Sequence, residues 1–133
     1  MKGERILVDT SVWIDYLQKG VSNLSQALDR LLSEKDIYVP KIVIAELIQG
    51  ARTEKEISAI ERFMEAFHII DEGTDTWIKA GRLSYQLKRK GKTINLADCY
   101  IATIAQEHGC QILTLDEHFK EIKKVTNIAP YEY

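Results

Sequence analysis

The chain has 133 residues, 45% of them hydrophobic and 29% charged, with a formal net charge of −2. That length suits one domain able to bury a core without staples, residues 1–133 reading as a single unit, and the composition is ordinary for a soluble globular protein. The slightly negative balance excludes a protein that holds nucleic acid by bulk positive charge, though not one with a local basic patch.

Cys99 and Cys110 are the two cysteines. Both sit in apolar surroundings with no CxxC, which predicts reduced core thiols in a cytoplasmic protein. The opening stretch Met1–Asp9 has too short an apolar run for a signal peptide. No segment is long enough to cross a membrane, so no membrane partner is expected.

Taken in chain order, Arg5–Val8 is a short apolar run that reads as a buried strand. A turn at Asp9-Thr10-Ser11 leads into a helix over Val12–Gln18, stopping near Gly20. Leu24, Ala27, Leu28, Leu31 and Leu32 form a helical stripe. Ile37–Val39 predicts a second strand, closed by Pro40. Ile42–Gln49 reads as a helix that is apolar nearly all round. Thr53 and Glu56 have capping-box spacing and open a helix whose stripe is Ile57, Ile60, Phe63, Met64 and Phe67. His68–Ile70 is a possible third strand. Trp77, Ala80, Ser84 and Leu87 mark a helix ending at Gly91, and Asn95–His108 is another, with Gly109 at its end. Gln111–Leu115 reads as a strand, Glu117–Lys123 as a short helix and Thr126–Ile128 as a last strand. Short buried strands alternating with helices predict an α/β fold: three layers, α/β/α, around a mainly parallel sheet of about four or five short strands. Sites in such sheets lie outside the carboxyl ends of the strands.

Four carboxylates occupy unexpected places. Asp9 and Asp116 each end an apolar strand, where they either cap the following helix or face a site. Glu46 stands in Ile42-Val-Ile-Ala-Glu-Leu-Ile48 with no polar neighbour. It is either one half of a buried ion pair, with Arg52 or Arg82, or functional. Asp98 shares a helix face with Ile101, Ala102 and Ala105. With Asn95 as N-cap it stands in the first turn, where the helix dipole favours a negative charge. If all four converge they repel one another and require a cation, and hard divalent ions take such oxygen ligands. Ser11 and Thr114 either orient these carboxylates or serve as simple capping and strand residues.

These segments resemble the PIN-domain nucleases, and among them the small VapC-type toxins of prokaryotic toxin–antitoxin pairs. The resemblance runs nearly the whole chain. It rests on Leu7-Val-Asp-Thr-Ser-Val-Trp-Ile14, Ile44-Ala-Glu-Leu-Ile48, Asn95-Leu-Ala-Asp-Cys-Tyr-Ile-Ala102 and Ile112-Leu-Thr-Leu-Asp-Glu-His-Phe119. It implies a PIN-like fold and assigns catalytic roles to Asp9, Glu46, Asp98 and Asp116. Asp9, Asp98 and Asp116 would be the metal ligands, and Thr10, Ser11 and Thr114 the polar helpers. The chain departs from the pattern at one place, since many relatives carry a further aspartate where His118 stands. The implied activity is a Mg²⁺- or Mn²⁺-dependent endoribonuclease, with one or two ions per site and water as the nucleophile. A 5′-phosphate product follows. The implied partners are an RNA substrate, a cognate VapB-like antitoxin that blocks the site, and a second copy in a homodimer.

Leu87-Lys-Arg-Lys-Gly-Lys92 places Lys88, Arg89, Lys90 and Lys92 just before the Asp98 helix. They are either a solvated helix end suited to the dipole or a phosphate clamp, with Lys41 and Arg52 as further candidates. His68, His108 and His118 lack ligand spacing, so no histidine metal site is expected. His108 suits a helix C-terminus, and His118, near Asp116, reads as a surface residue or else a substrate contact. Trp13, Tyr16 and the leucine stripe read as core or dimer surface. A haloacid-dehalogenase-like phosphatase would need an aspartate where Ser11 stands, and a receiver domain an early acid pair that is missing. The pattern is also open to a housekeeping nuclease in RNA processing, or to a non-catalytic interaction module of the same fold.

Overall fold

The computed structural model describes residues 4–18 and 22–132, so the expected helix stop at Gly20 lies outside the described residues. The elements in order are β1 (Arg5–Val8), α1 (Thr10–Gln18), α2 (Asn23–Glu34), β2 (Asp36–Pro40), α3 (Lys41–Gln49) and α4 (Glu54–Met64). They continue with β3 (His68–Ile70), α5 (Thr76–Arg89), α6 (Leu96–Glu107), β4 (Gln111–Leu113), α7 (His118–Lys123) and β5 (Ala129–Pro130). The strands form one sheet in the order β3-β2-β1-β4-β5, and every pairing is parallel.

This order places the site. From β1 the chain steps outward through β2 to β3, then returns to the other side of β1 for β4 and β5. Right-handed crossovers put the connecting helices on opposite faces when the direction of winding reverses. Accordingly α1–α4 pack among themselves and α5–α7 among themselves. The reversal between β1 and β4 opens a crevice at their carboxyl ends, the usual ligand position of an open α/β sheet.

The core runs continuously through both layers. β1 contributes Ile6, Leu7 and Val8, α2 contributes Leu24, Leu28 and Leu31, and Trp13 is buried beside Phe63 and Phe67. Trp13 and the leucine stripe are therefore core. Helix α6 is buried without interruption from Asp98 to Ala105, which explains its apolar sequence. Its Asn95 cap accepts from the Asp98 N–H at 2.8 Å, and Gly109 follows at φ +66, a left-handed position that suits glycine. Cys99 and Cys110 are buried free thiols. Among the described residues no helix is long and apolar enough to cross a membrane.

Several boundaries differ from expectation for identifiable reasons. Helix α1 begins at Thr10 rather than Val12, because the Asp9 carbonyl already accepts the N–H of Val12 at 3.0 Å. The expected strand to Leu115 stops at Leu113, and the Leu115 N–H turns to the Ser11 hydroxyl at 3.0 Å. The last strand is Ala129–Pro130, not Thr126–Ile128. The chain is still turning at Val125 and Thr126, whose N–H groups both donate to the Ile122 carbonyl. Helix α3 is not buried all round. Val43 and Leu47 are buried, whereas Ala45 is exposed and Glu46 half-buried. Thr53 caps α4 as expected, but Glu56 reaches the N–H of Arg52, one residue before the capping-box position.

Candidate active site

Asp9 follows β1 and is buried, with 3% exposure. Its side chain does not cap α1. Oδ2 accepts from the Ser11 hydroxyl and from the Thr114 hydroxyl, both at 2.8 Å. Ser11 and Thr114 are themselves 3.4 Å apart. Thr114 also accepts the Asp116 N–H at 3.0 Å. The chain segments after β1 and β4 are thus stitched together around one carboxylate oxygen, by residues 105 positions apart. A buried carboxylate needs such donors to persist as an anion.

Asp116 does two things. Its Oδ1 accepts the His118 N–H at 2.9 Å, tethering the entrance to α7. The same atom lies 3.4 Å from His118 Nδ1. Asp98 approaches from the first turn of α6, and its Oδ2 meets the same Nδ1 at 2.9 Å. Asp98, Asp116 and His118 place one potential donor atom each within 4.8 Å of one another.

The electrostatics follow from this crowding. The Asp98 carboxyl is pushed up to about 6, first by burial and then by repulsion from Asp116 and Asp9, against the opposing hydrogen bond from His118. The helix N-terminus was expected to make ionisation of Asp98 easier. Burial among like charges outweighs it. His118 is raised above its ordinary value, chiefly by its hydrogen bond to Asp98. Among the described residues His118 is the ion-pair partner of both Asp98 and Asp116, and the donors of the pocket are hard oxygens with one imidazole nitrogen. That donor set fits a divalent cation.

Glu46 is set apart. It accepts from the Thr10 hydroxyl at 2.6 Å and, among the described residues, forms no ion pair with Arg52 or Arg82. The ion-pair reading of Glu46 is therefore replaced by a hydrogen bond that ties α3 to the start of α1. Thr10, named as a polar helper with Ser11, bonds Glu46, whereas Ser11 bonds Asp9.

The basic candidates do not form one surface feature. Lys41 pairs with Asp71, and Lys92 with Glu121 of α7 at 3.4 Å. Arg52 lies beyond the far end of α3 from Lys41, a helix of nine residues and so about 13 Å long. Lys88, Arg89 and Lys90 are exposed at the end of α5. Thr76 and Lys79 at the start of α5 bond Glu107 at the end of α6. The two helices therefore run antiparallel, and the basic run stands at the end of α6 that carries Asp98.

His118 is the residue whose role sequence reasoning underestimated. It lies at the surface as expected, but it also stands between two of the acids. The signal was present in its position two residues after a strand-end aspartate. The turn in which the His118 N–H donates to Asp116 Oδ1 folds that residue back over the same carboxylate. No periodicity reveals this, because Asp98 comes from another element.

Residues 6–125 match the PIN domain family. The chain belongs to the PIN-domain family. Among curated relatives, Ribonuclease VapC11 of Mycobacterium tuberculosis is 30% identical over 128 residues, covering 92% of this chain and 95% of its own length. Ribonuclease VapC1 of Methanocaldococcus jannaschii is 32% identical over 121 residues, covering 90% of this chain and 82% of its own. Among solved structures, VapBC2 of Rickettsia felis, bound to a DNA fragment from its promoter, superposes with a TM-score of 0.78. It is 22% identical and covers 97% of this chain and 98% of its own, a likeness of fold. The PIN fold thus accounts for the five parallel strands and the crevice between β1 and β4.

Proposed function

We propose that this PIN-domain protein is a VapC-type endoribonuclease that requires a divalent cation, Mg²⁺ or Mn²⁺, and acts as the toxin of a toxin–antitoxin pair. The observation that carries the reading is the meeting of Asp98, Asp116 and His118 within 4.8 Å, beside an Asp9 that raises the Asp98 pKa. Asp9, Asp98 and Asp116 would hold the cation, of which the crevice takes one or two. When bound, it supplies positive charge for the scissile phosphate and lowers the pKa of water.

The chain's own residues do the rest. Ser11 and Thr114 both donate to Asp9 Oδ2 and fix its carboxylate, so that Oδ1 would be the atom left for the cation. Asn95 fixes the first turn of α6 and thereby the Asp98 carboxylate. Glu46, held by Thr10, stands outside the tight group and would either bind the cation through water or accept a proton from an attacking water. Lys88, Arg89, Lys90 and Lys92, with Lys41, would meet the RNA backbone around this edge, and Arg52 contributes least. Ribonuclease relatives and VapBC complexes support an RNA substrate and a VapB-like antitoxin, and a homodimeric assembly in the cytoplasm, with residues 1–133 acting as one PIN domain, belongs to the same proposal.

The deciding experiment is an RNA cleavage assay with Mn²⁺, comparing wild type with Asp9→Asn and Asp98→Asn. The expected result is cleavage by wild type alone, leaving 5′-phosphate ends. Equal cleavage by all three proteins, or 2′,3′-cyclic phosphate ends, refutes the mechanism. Growth arrest on expression, relieved by the product of a neighbouring short gene, tests the toxin role.

A further inference from the structure

We propose that His118 is itself a ligand of the cation held by Asp98 and Asp116, and that its nitrogen biases the site toward Mn²⁺ and the later divalent transition metals over Mg²⁺. The inference rests on the reading of this crevice as a divalent-metal centre and adds a donor, and a preference, to it.

The geometry is specific to one ring atom. Nδ1 lies 2.9 Å from Asp98 Oδ2 and 3.4 Å from Asp116 Oδ1, so it occupies the space between the two carboxylates. The backbone that carries the ring is also held in place. The His118 backbone N–H is bonded to Asp116, and the next residue, Phe119, is buried in the core. His118 is thus fixed at the first residue of α7 by both neighbours. A surface histidine that merely paired with one acid would need neither restraint.

In the cation-free protein Nδ1–H donates to these carboxylates. As a ligand Nδ1 offers its lone pair, and the neutral ring carries its single N–H on Nε2. The His118 side chain is 45% exposed, which leaves room for water to accept that proton. One nitrogen among oxygens changes selectivity. Mg²⁺ demands hard oxygen donors and near-ideal octahedral geometry, whereas imidazole affinity rises from Mn²⁺ through Co²⁺ and Ni²⁺. A neutral imidazole in place of an anionic donor also removes charge attraction that Mg²⁺ binding depends on.

The test uses the full chain loaded with Mn²⁺ and read by pulsed electron paramagnetic resonance. Wild type should show ¹⁴N hyperfine coupling from a bound imidazole. His118→Asp and His118→Asn should lose it, while His68→Gln and His108→Gln keep it. The asparagine variant retains a hydrogen-bonding amide, so it controls for any folding defect caused by a new carboxylate. By calorimetry, the ratio of Mn²⁺ to Mg²⁺ affinity should fall about tenfold in His118→Asp, the scale on which metal sites respond to loss of a donor or its support. Mn²⁺ binding that depends on Asp98 but shows no nitrogen coupling overturns the ligand role and leaves the metal centre standing. Mn²⁺ binding that is absent, or indifferent to Asp98→Asn, overturns both.

Discussion

The acidic crevice and the basic run at residues 88–92 are opposites in construction. The crevice draws Asp9 from the end of β1, Asp98 from the start of α6 and Asp116 and His118 from the approach to α7. Each is fixed by at least one hydrogen bond under 3 Å. The basic run is contiguous in sequence and exposed, and Lys92 alone of its cations reaches another element. Contiguity made the cations conspicuous, whereas convergence gives the acids their chemistry. A fixed site stabilises charge as it develops at no cost in reorganisation. A loose cluster of cations adds attraction, screened by salt.

This contrast can be broken at the acidic end first. Asp98→Asn should lower RNA cleavage about 10²- to 10³-fold, the scale of losing one preorganised charge, while circular dichroism stays native. A native but fully active variant would demote the crevice to a structural feature.

The second effect is on stability, measured in EDTA by denaturant unfolding across pH. The folded pKa of Asp98 is raised to about 6 from 3.8, so the folded state keeps a proton that the unfolded chain has lost. Stability should therefore fall as pH rises from about 4 to about 6, by about 3 kcal/mol, and stay low above that. His118, also raised, contributes stability below its unfolded value that is lost as pH rises through its folded one, in the same direction. Asp98→Asn should flatten the profile and leave the variant more stable than wild type near neutral pH. A profile equally steep in the variant would place the charge strain elsewhere.

Third, divalent cation should restore what burial costs. At a hundredfold excess of Mn²⁺ over its Kd, wild type should gain about 2.7 kcal/mol, with the gain absent in Asp98→Asn. Smallest is the effect of the basic run. Neutralising Lys88, Arg89 and Lys90 together should weaken RNA binding and reduce the salt slope by up to about 0.7 for each phosphate no longer neutralised. An unchanged slope would remove these residues from the RNA path.

The sequence by itself determined much of this protein. Among the described residues periodicity placed the seven helices and the first three strands, because apolar spacing reports which face is buried. The strand-end positions of Asp9 and Asp116, and the apolar company of Asp98 and Glu46, marked the acids as anomalous. Tertiary structure alone decided how they are used. Whether Asp9 caps α1 or faces a site depended on Thr114, which is distant in sequence and adjacent only because β4 pairs with β1. The partner of Glu46 proved to be Thr10 rather than an arginine, for the same reason. The end of β4 and the place of β5 were set by hydrogen bonds to Ser11 and Ile122 that compete with the ladder. His118 joined the acids because a tight turn and a neighbouring helix put its ring between them. Local pattern encodes burial, but a site is made of contacts between elements, and those exist only once the sheet has closed.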